Sequence, residues 1–239
     1  MKVILNEKPQ KVTIIEGFPG VGFVSTIAVE YLTDHLKFKS IGKMWCPELA
    51  PIAIVHGKRI IQPIEILYNE KFNLVVLEAL AGVNGFEWEV TDAILELYKK
   101  LNAKEIISIE GIATVSEKEE PDTYSFSNDE MRLKILQQAC GCQPIKEGVI
   151  MGVSGALLVK LSKDIRASFI FSETHSKMPD NKAAAKIIEA LDKYLNLDVD
   201  YKPLLKRAGD MEEKIRGILE KTKQAVDTKR TKDNTPYIG

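Results

Sequence analysis

The chain is poor in the residues that most often carry chemistry. It holds three histidines and three cysteines in 239 residues, and its first arginine is Arg59. Two cysteines stand together in Cys140-Gly-Cys142 and the third, Cys46, lies far upstream. That odd count suits reduced thiols in a reducing compartment better than a disulfide framework. A zinc site needs ligands at recognisable spacing, and one CxC motif with scattered His35, His56 and His175 does not supply it, so no metal is expected. No apolar run approaches the ~20 residues that cross a bilayer. The opening MKVILNEKPQ turns polar by Asn6, which is not a signal-peptide pattern, so the expectation is a cytoplasmic protein with no membrane partner. An excess of one charge is missing too. The formal net charge is −1, which excludes a global basic field for nucleic acid; only the short KTK and TKRTK runs near the C-terminus are basic.

What remains is an ordinary globular composition, 45% hydrophobic and 28% charged, on a chain long enough for one large α/β domain. Lys11–Glu16 (KVTIIE) reads as a strand ended by Gly17, and from Val21 the residues Val24, Ile27, Ala28, Tyr31 and Leu32 recur at helical spacing. Short strands are expected at Ser40–Trp45, Ile52–His56, Arg59–Ile61 and Ile64–Leu67, with Gly57-Lys58 as a hairpin turn. Asn73–Leu80 (NLVVLEAL) is apolar nearly throughout, as a central parallel strand should be. A helix to about Leu101, a strand at Glu105–Glu110, a strand at Glu147–Gly152, a small-residue helix at Gly155–Leu161, a strand at Ala167–Ser172 and a helix at Asn181–Leu195 complete the body. Strands alternating with helices predict an α/β sandwich on a mixed, mostly parallel sheet. After Pro203 the pattern changes. Leu204, Ala208, Met211, Ile215, Ile218, Thr222 and Ala225 form a narrow stripe on a charged helix, and beyond Asp227 no periodic stripe continues.

The stretch EGFPGVGFVSTIAVEYL raises the question of a phosphate site, because a glycine turn between strand and helix offers free N–H groups to an anion. Its details differ from the phosphate motifs. Gly17, Gly20 and Gly22 give GxxGxG where a dinucleotide site has GxGxxG, Pro19 removes one N–H, and Phe23-Val24 stand where a P-loop has lysine and serine or threonine. No lysine or arginine lies between Lys11 and Lys37. The turn is therefore read as architecture, with Phe18 and Phe23 packing. Two further clusters carry potential chemistry. Glu87 and Glu89 in LAGVNGFEWE lie two apart and diverge on a helix, so they do not pair by themselves. Ser154 in Gly-Val-Ser-Gly falls short of the GxSxG elbow, which leaves a Ser154–His175–Asp180 triad as a weak reading.

In order, GFPGVGFVSTIAVEYL, LAGVNGFEWEVTDAIL, IISIEGIAT and EGVIMGVSGALL resemble the segments of the proteasome assembly chaperone family, of the archaeal PbaA/PbaB type, from about Lys11 to Leu195. The resemblance implies a three-layer α/β/α sandwich similar to nucleoside phosphorylases and hydrolases, without their activity and without a cofactor. No ATP-covering loop with its lysine and no magnesium-binding carboxylate pair is recognisable. It further implies a homo-oligomer, tetramer or pentamer, that binds the α-subunit ring of the proteasome core particle as an assembly factor or an ATP-independent activator. The expected organisation is a domain at 1–202, a charged helix at 203–226 and a flexible binding tail at 227–239. In that picture Pro236, Tyr237, Ile238 and Gly239 are the partner-binding residues. Proteasome-docking ends place tyrosine second from the terminus, whereas Tyr237 is third, which displaces the carboxylate by up to about 3.5 Å. Two readings compete: a nucleoside- or nucleotide-processing enzyme using N–H groups at 20–23 with Glu87, Glu89 or Glu110 as acid–base groups, and a purely structural oligomer.

Overall fold

The structure, a computed structural model, describes residues 1–49, 54–56, 59–79, 82–114, 120–174 and 178–206. In chain order the elements are β1 (Lys2–Leu5), β2 (Thr13–Gly17), α1 (Val24–His35), β3 (Lys39–Trp45), β4 (Ile54–His56), β5 (Arg59–Ile61), β6 (Ile64–Asn69), β7 (Leu74–Ala79) and α2 (Glu87–Lys100). There follow β8 (Glu105–Ala113), β9 (Thr123–Ser127), α3 (Glu130–Gln138), β10 (Gln143–Pro144), α4 (Gly152–Lys160), β11 (Ala167–Thr174), α5 (Asn181–Leu195) and α6 (Lys202–Lys206). A nine-stranded sheet runs in the order β1-β3-β6-β7-β2-β8-β11-β9-β10, while β4 and β5 form a separate antiparallel pair. The central strands β7, β2, β8 and β11 are mutually parallel, and the antiparallel pairs fall at the margins. This is the mixed, mostly parallel sheet that the sequence predicts.

Alternation along the central strands divides the core into two layers. Ile14, Val75, Leu77, Ile106, Phe169 and Phe171 point to one face and are covered by α2 (Val90, Ile94, Leu97) and α4 (Val153, Leu157). Ile15, Val76, Ile107, Ile109 and Ile170 point to the other, under α1 (Val24, Ile27, Ala28, Leu32) and α5 (Ala184, Ile187, Ile188, Leu191). Phe169 and Phe171 are wholly buried, and truncating such a side chain to alanine costs ~3–5 kcal/mol.

Local signals set the helix ends. Asp180 caps α5 by accepting the Ala183 N–H at 3.0 Å, and Asn196 closes it in the left-handed conformation at φ 53°. Asp129 caps α3 through the N–H groups of Met131 and Arg132, both at 3.1 Å. In α2, Glu87 and Glu89 occupy the first turn and Lys99 and Lys100 the last, matching the helix dipole at both ends.

Two segments depart from the sequence reading. Lys2–Leu5, where no strand is expected from the sequence, pairs antiparallel with β3 as an edge strand. Glu147–Gly152 is not a strand. Gly152 has φ +69°, outside the extended region, and opens α4, while Val149 is 88% and Met151 72% exposed, so no sheet covers them. Residues 145–150 instead line an open groove of about 840 Å³ beside Tyr124, Gln143 and Glu173. The Gly57-Lys58 turn, the 203–226 helix beyond Lys206 and the 227–239 tail lie outside the described residues.

Candidate functional site

The tail residues Pro236, Tyr237, Ile238 and Gly239 lie outside the described residues, as does His175 of the suggested triad. The other two triad members have separate duties. Asp180 caps α5 and accepts the Thr174 hydroxyl at 2.8 Å, whereas the Ser154 and Ser108 hydroxyls meet at 2.8 Å on the opposite side of the sheet. Glu89 lies on the exposed side of α2, and Glu87 turns back to accept the Gly85 N–H at 2.9 Å. The two carboxylates do not converge.

The glycine turn is packed closely, and Gly17 and Gly22 each have a neighbour that crowds out a side chain. A Cβ on Gly17 would lie 2.9 Å from Val29, and one on Gly22, at φ +64°, 2.5 Å from the Thr174 hydroxyl. Phe18 is buried in the α2/α4 layer and Phe23 packs on the α1/α5 layer, so the two aromatics pin the turn to both cores. The Ser25 hydroxyl donates to the Phe18 carbonyl at 2.6 Å, and the Asp180 N–H donates to the Gly22 carbonyl at 2.9 Å.

Against this turn the fold sets carboxyl groups rather than cations. A Cβ on Gly20 would meet Glu110 Oε1 at 3.0 Å. A cavity of about 30 Å³ at the C-terminal ends of β2 and β8 is lined by Glu16, Phe18, Pro19, Asn84, Glu87, Glu110 and Ser154 among others, and by no lysine, arginine or histidine among the described residues. Crevices at this edge of a parallel sheet commonly take ligands. This one is the size of a water molecule, and its carboxyl lining opposes an anion.

Register explains how the acids meet. Glu16 on β2 lies beside Ser108 on β8, and Glu110 is two residues further along the same face. The Ser108 and Ser154 hydroxyls, joined at 2.8 Å, stand beside these acids: Ser108 lies across from Glu16, and Ser154, from the first turn of α4, lines the same cavity as Glu110. Burial, tempered by the Ser108 hydroxyl, pushes the Glu16 carboxyl up to about 8, with the nearby Glu110 charge adding to the rise. Burial likewise pushes Glu110 up to about 7, against the pull of the Ser154 hydroxyl. Sequence reading singled out Glu110 and Ser154 and missed Glu16 and Ser108. The signal was present: in KVTIIE and EIISIE these polar residues share a face with Ile14 and Ile106, where apolar side chains are expected.

At the other end of β8 a second buried acid has a structural role. Glu105, 1% exposed, receives an ion pair from Arg132 and hydrogen bonds from Ser168 and Tyr194, tying α3 and α5 to the sheet. Cys140 and Cys142 are buried nearby under α5, and burial pushes the Cys140 thiol up to about 11, the value of an inert thiol.

The model of the PAC2 family matches residues 14–219 of this chain. The chain belongs to the PAC2 family. That match spans the sheet apart from its edge strand β1, both helical layers and the carboxyl-lined turn. This PAC2 chain is 26% identical over 230 residues to MJ0106 of Methanocaldococcus jannaschii, covering 94% of this chain and 92% of that one. Among solved structures it is similar to Pyrococcus furiosus PbaA, described as an archaeal homolog of proteasome-assembly chaperone. The identity is 29%, the TM-score 0.84, and the match covers 94% of this chain and 98% of PbaA. Pyrococcus furiosus PbaB, described as an archaeal proteasome activator, shares the fold at a TM-score of 0.74 and 23% identity, covering 91% of this chain and 98% of PbaB. No helix among the described residues is long and apolar enough to cross a membrane, and no group of three or more His, Cys, Asp or Glu among them is placed to hold a metal ion.

Proposed function

We propose that this PAC2 protein is a non-enzymatic proteasome assembly chaperone or ATP-independent activator, which binds the α-subunit ring of the core particle through its C-terminal segment. The observation that carries the reading is the likeness to PbaA over 94% of this chain and 98% of PbaA. The carboxyl lining of the glycine turn supports the non-enzymatic half, because a nucleotide phosphate placed there would face Glu110 and Glu16. In the proposed mode the α/β body is a scaffold for a homo-oligomer. Tyr237 fills an apolar slot between α-subunits and Gly239 supplies a carboxylate to a lysine. Several tails on one oligomer then engage equivalent pockets, and weak single contacts sum through effective concentration.

The test is co-purification of the full chain with proteasome α-subunits, followed by a peptidase assay, beside a variant lacking Tyr237–Gly239. The expected result is retention of α-subunits by the full chain and loss of retention by the truncated one, with the same oligomer on gel filtration. Failure of the full chain to retain α-subunits overturns the partner. Equal retention by both chains removes the tail from the mechanism and leaves the partner standing.

A further inference from the structure

Glu173 stands near the end of β11, across from Ile112 and on the face that buries Phe171. It lines the open groove of about 840 Å³ that residues 145–150 border. The side chain is 8% exposed. Its Oε1 accepts the Tyr124 hydroxyl at 3.0 Å, whereas Oε2 is buried with no hydrogen-bond partner. No lysine or arginine among the described residues pairs with it; Lys146, which also lines the groove, is exposed to solvent. A carboxylate held in this way calls for a donor, and a cation supplies the strongest one. Ile112, Ile145, Val149 and Ile150 make much of the remaining wall apolar, and the exposed Glu147 adds a second acid. The occupant that fits joins a positive head to an apolar stem, which is the chemistry of lysine and arginine side chains. Strand addition is not the mode, because Pro144 leaves the edge strand β10 without an N–H at that position.

A series of depressions leads to this groove from α6, the last described element. Leu205, Tyr201, Lys186 and Glu120 line a pocket of about 350 Å³. Glu120 and Lys186 also line a second, of about 210 Å³, which reaches Gly141 and Gln143, and Gln143 in turn lines the Glu173 groove. The densest basic run of the sequence, Lys229-Arg230-Thr231-Lys232, lies further along the same chain. Residues 207–228 span about 33 Å as a helix and up to about 75 Å extended, against a body about 40–45 Å across, which is enough chain to bring the run to the groove. We propose that this run is seated in the groove of its own chain. One of its cations meets Glu173 Oε2, another meets Glu147, and their stems lie on Ile145, Val149 and Ile150. The seat holds the chain a few residues before Pro236 and needs no partner protein. It also fixes the point from which the last residues leave the body, and that consequence alone rests on the docking role proposed for them.

Two measurements on the full chain, with no proteasome present, test the seat. A carbodiimide, which couples a carboxylate to an amine without a spacer, should join Glu173 or Glu147 to Lys229 or Lys232, as read by mass spectrometry after digestion. In protein refolded from a mixture of light and heavy-isotope chains, the link should join light to light and heavy to heavy. Trypsin should cut after Lys229, Arg230 and Lys232 about five-fold more slowly in the wild type than in E173Q, whose amide keeps an acceptor for Tyr124 and loses the charge. Absence of the link, a link that joins light chains to heavy ones, or equal cutting of the two proteins each overturns the proposal. If E173Q does not fold, the wild-type crosslink decides alone.

Discussion

Glu105 offers the sharpest test of the energetics, because its charge is buried and its partners are few. Replacing Arg132 with methionine keeps the apolar stem on α3 and removes the guanidinium from both Glu105 and the Tyr194 hydroxyl, which it meets at 3.0 Å. Breaking a fully buried ion pair costs 3–5 kcal/mol, and the Arg132 side chain is 26% exposed, so about 2–3 kcal/mol is expected. In a domain of this size that lowers the melting temperature by roughly 5–10 °C. The cost depends on pH with a definite sign. Burial raises the Glu105 carboxyl above its ordinary value, while Ser168, Arg132 and Tyr194 draw it down. Without Arg132 it rises further. The variant therefore matches the wild type most closely below the unfolded carboxylate value of about 4.3, and falls behind as pH climbs through the neutral range. Urea unfolding of wild type and Arg132→Met at pH 4 and pH 8 reads this directly, and adding Glu105→Gln should recover most of the loss at pH 8. A deficit of the same size at both pH values would refute the buried-charge account and leave only lost packing.

Other expectations follow from single contacts. Gly22→Ala should lower stability by about 2 kcal/mol or more in thermal denaturation, since a left-handed backbone costs ~1–2 kcal/mol and the new Cβ would press on Thr174 at 2.5 Å; an unchanged melting curve would show the turn to be pliable. Cys140 and Cys142 should resist a thiol reagent at pH 7.5 in the native state and react at once in urea, because both are buried and both thiols are pushed upward by burial. Removal of Tyr237–Gly239 should leave the melting temperature within about 1 °C of the full chain while abolishing retention of α-subunits, since a terminal segment that binds a partner adds little to the body's own stability.

Elements whose ends carry their own chemistry were legible from sequence. Asn181–Leu195 begins and ends where expected, because Asp180 caps it, Asn196 accepts the left-handed closing conformation, and an apolar stripe runs between them. The strands KVTIIE, NLVVLEAL, EIISIE and ASFIFS were legible for the same reason: alternation or continuous apolarity is a property of a few neighbouring residues. EGVIMG misled because apolar content alone does not supply a partner strand, and Gly152 takes a positive φ that ends any extended run.

Pairing lies beyond such local signals. That β2 sits between β7 and β8 and β11 beside β8, and that Glu16 stands opposite Ser108, depends on contacts between segments scores of residues apart. Residue pattern alone marks Glu16 and Glu110 as misplaced acids on apolar faces. Only the parallel register of β2 and β8, with α4 laid across their ends, brings those acids to the lining of one small cavity, because burial and proximity belong to the folded chain and to no segment of it.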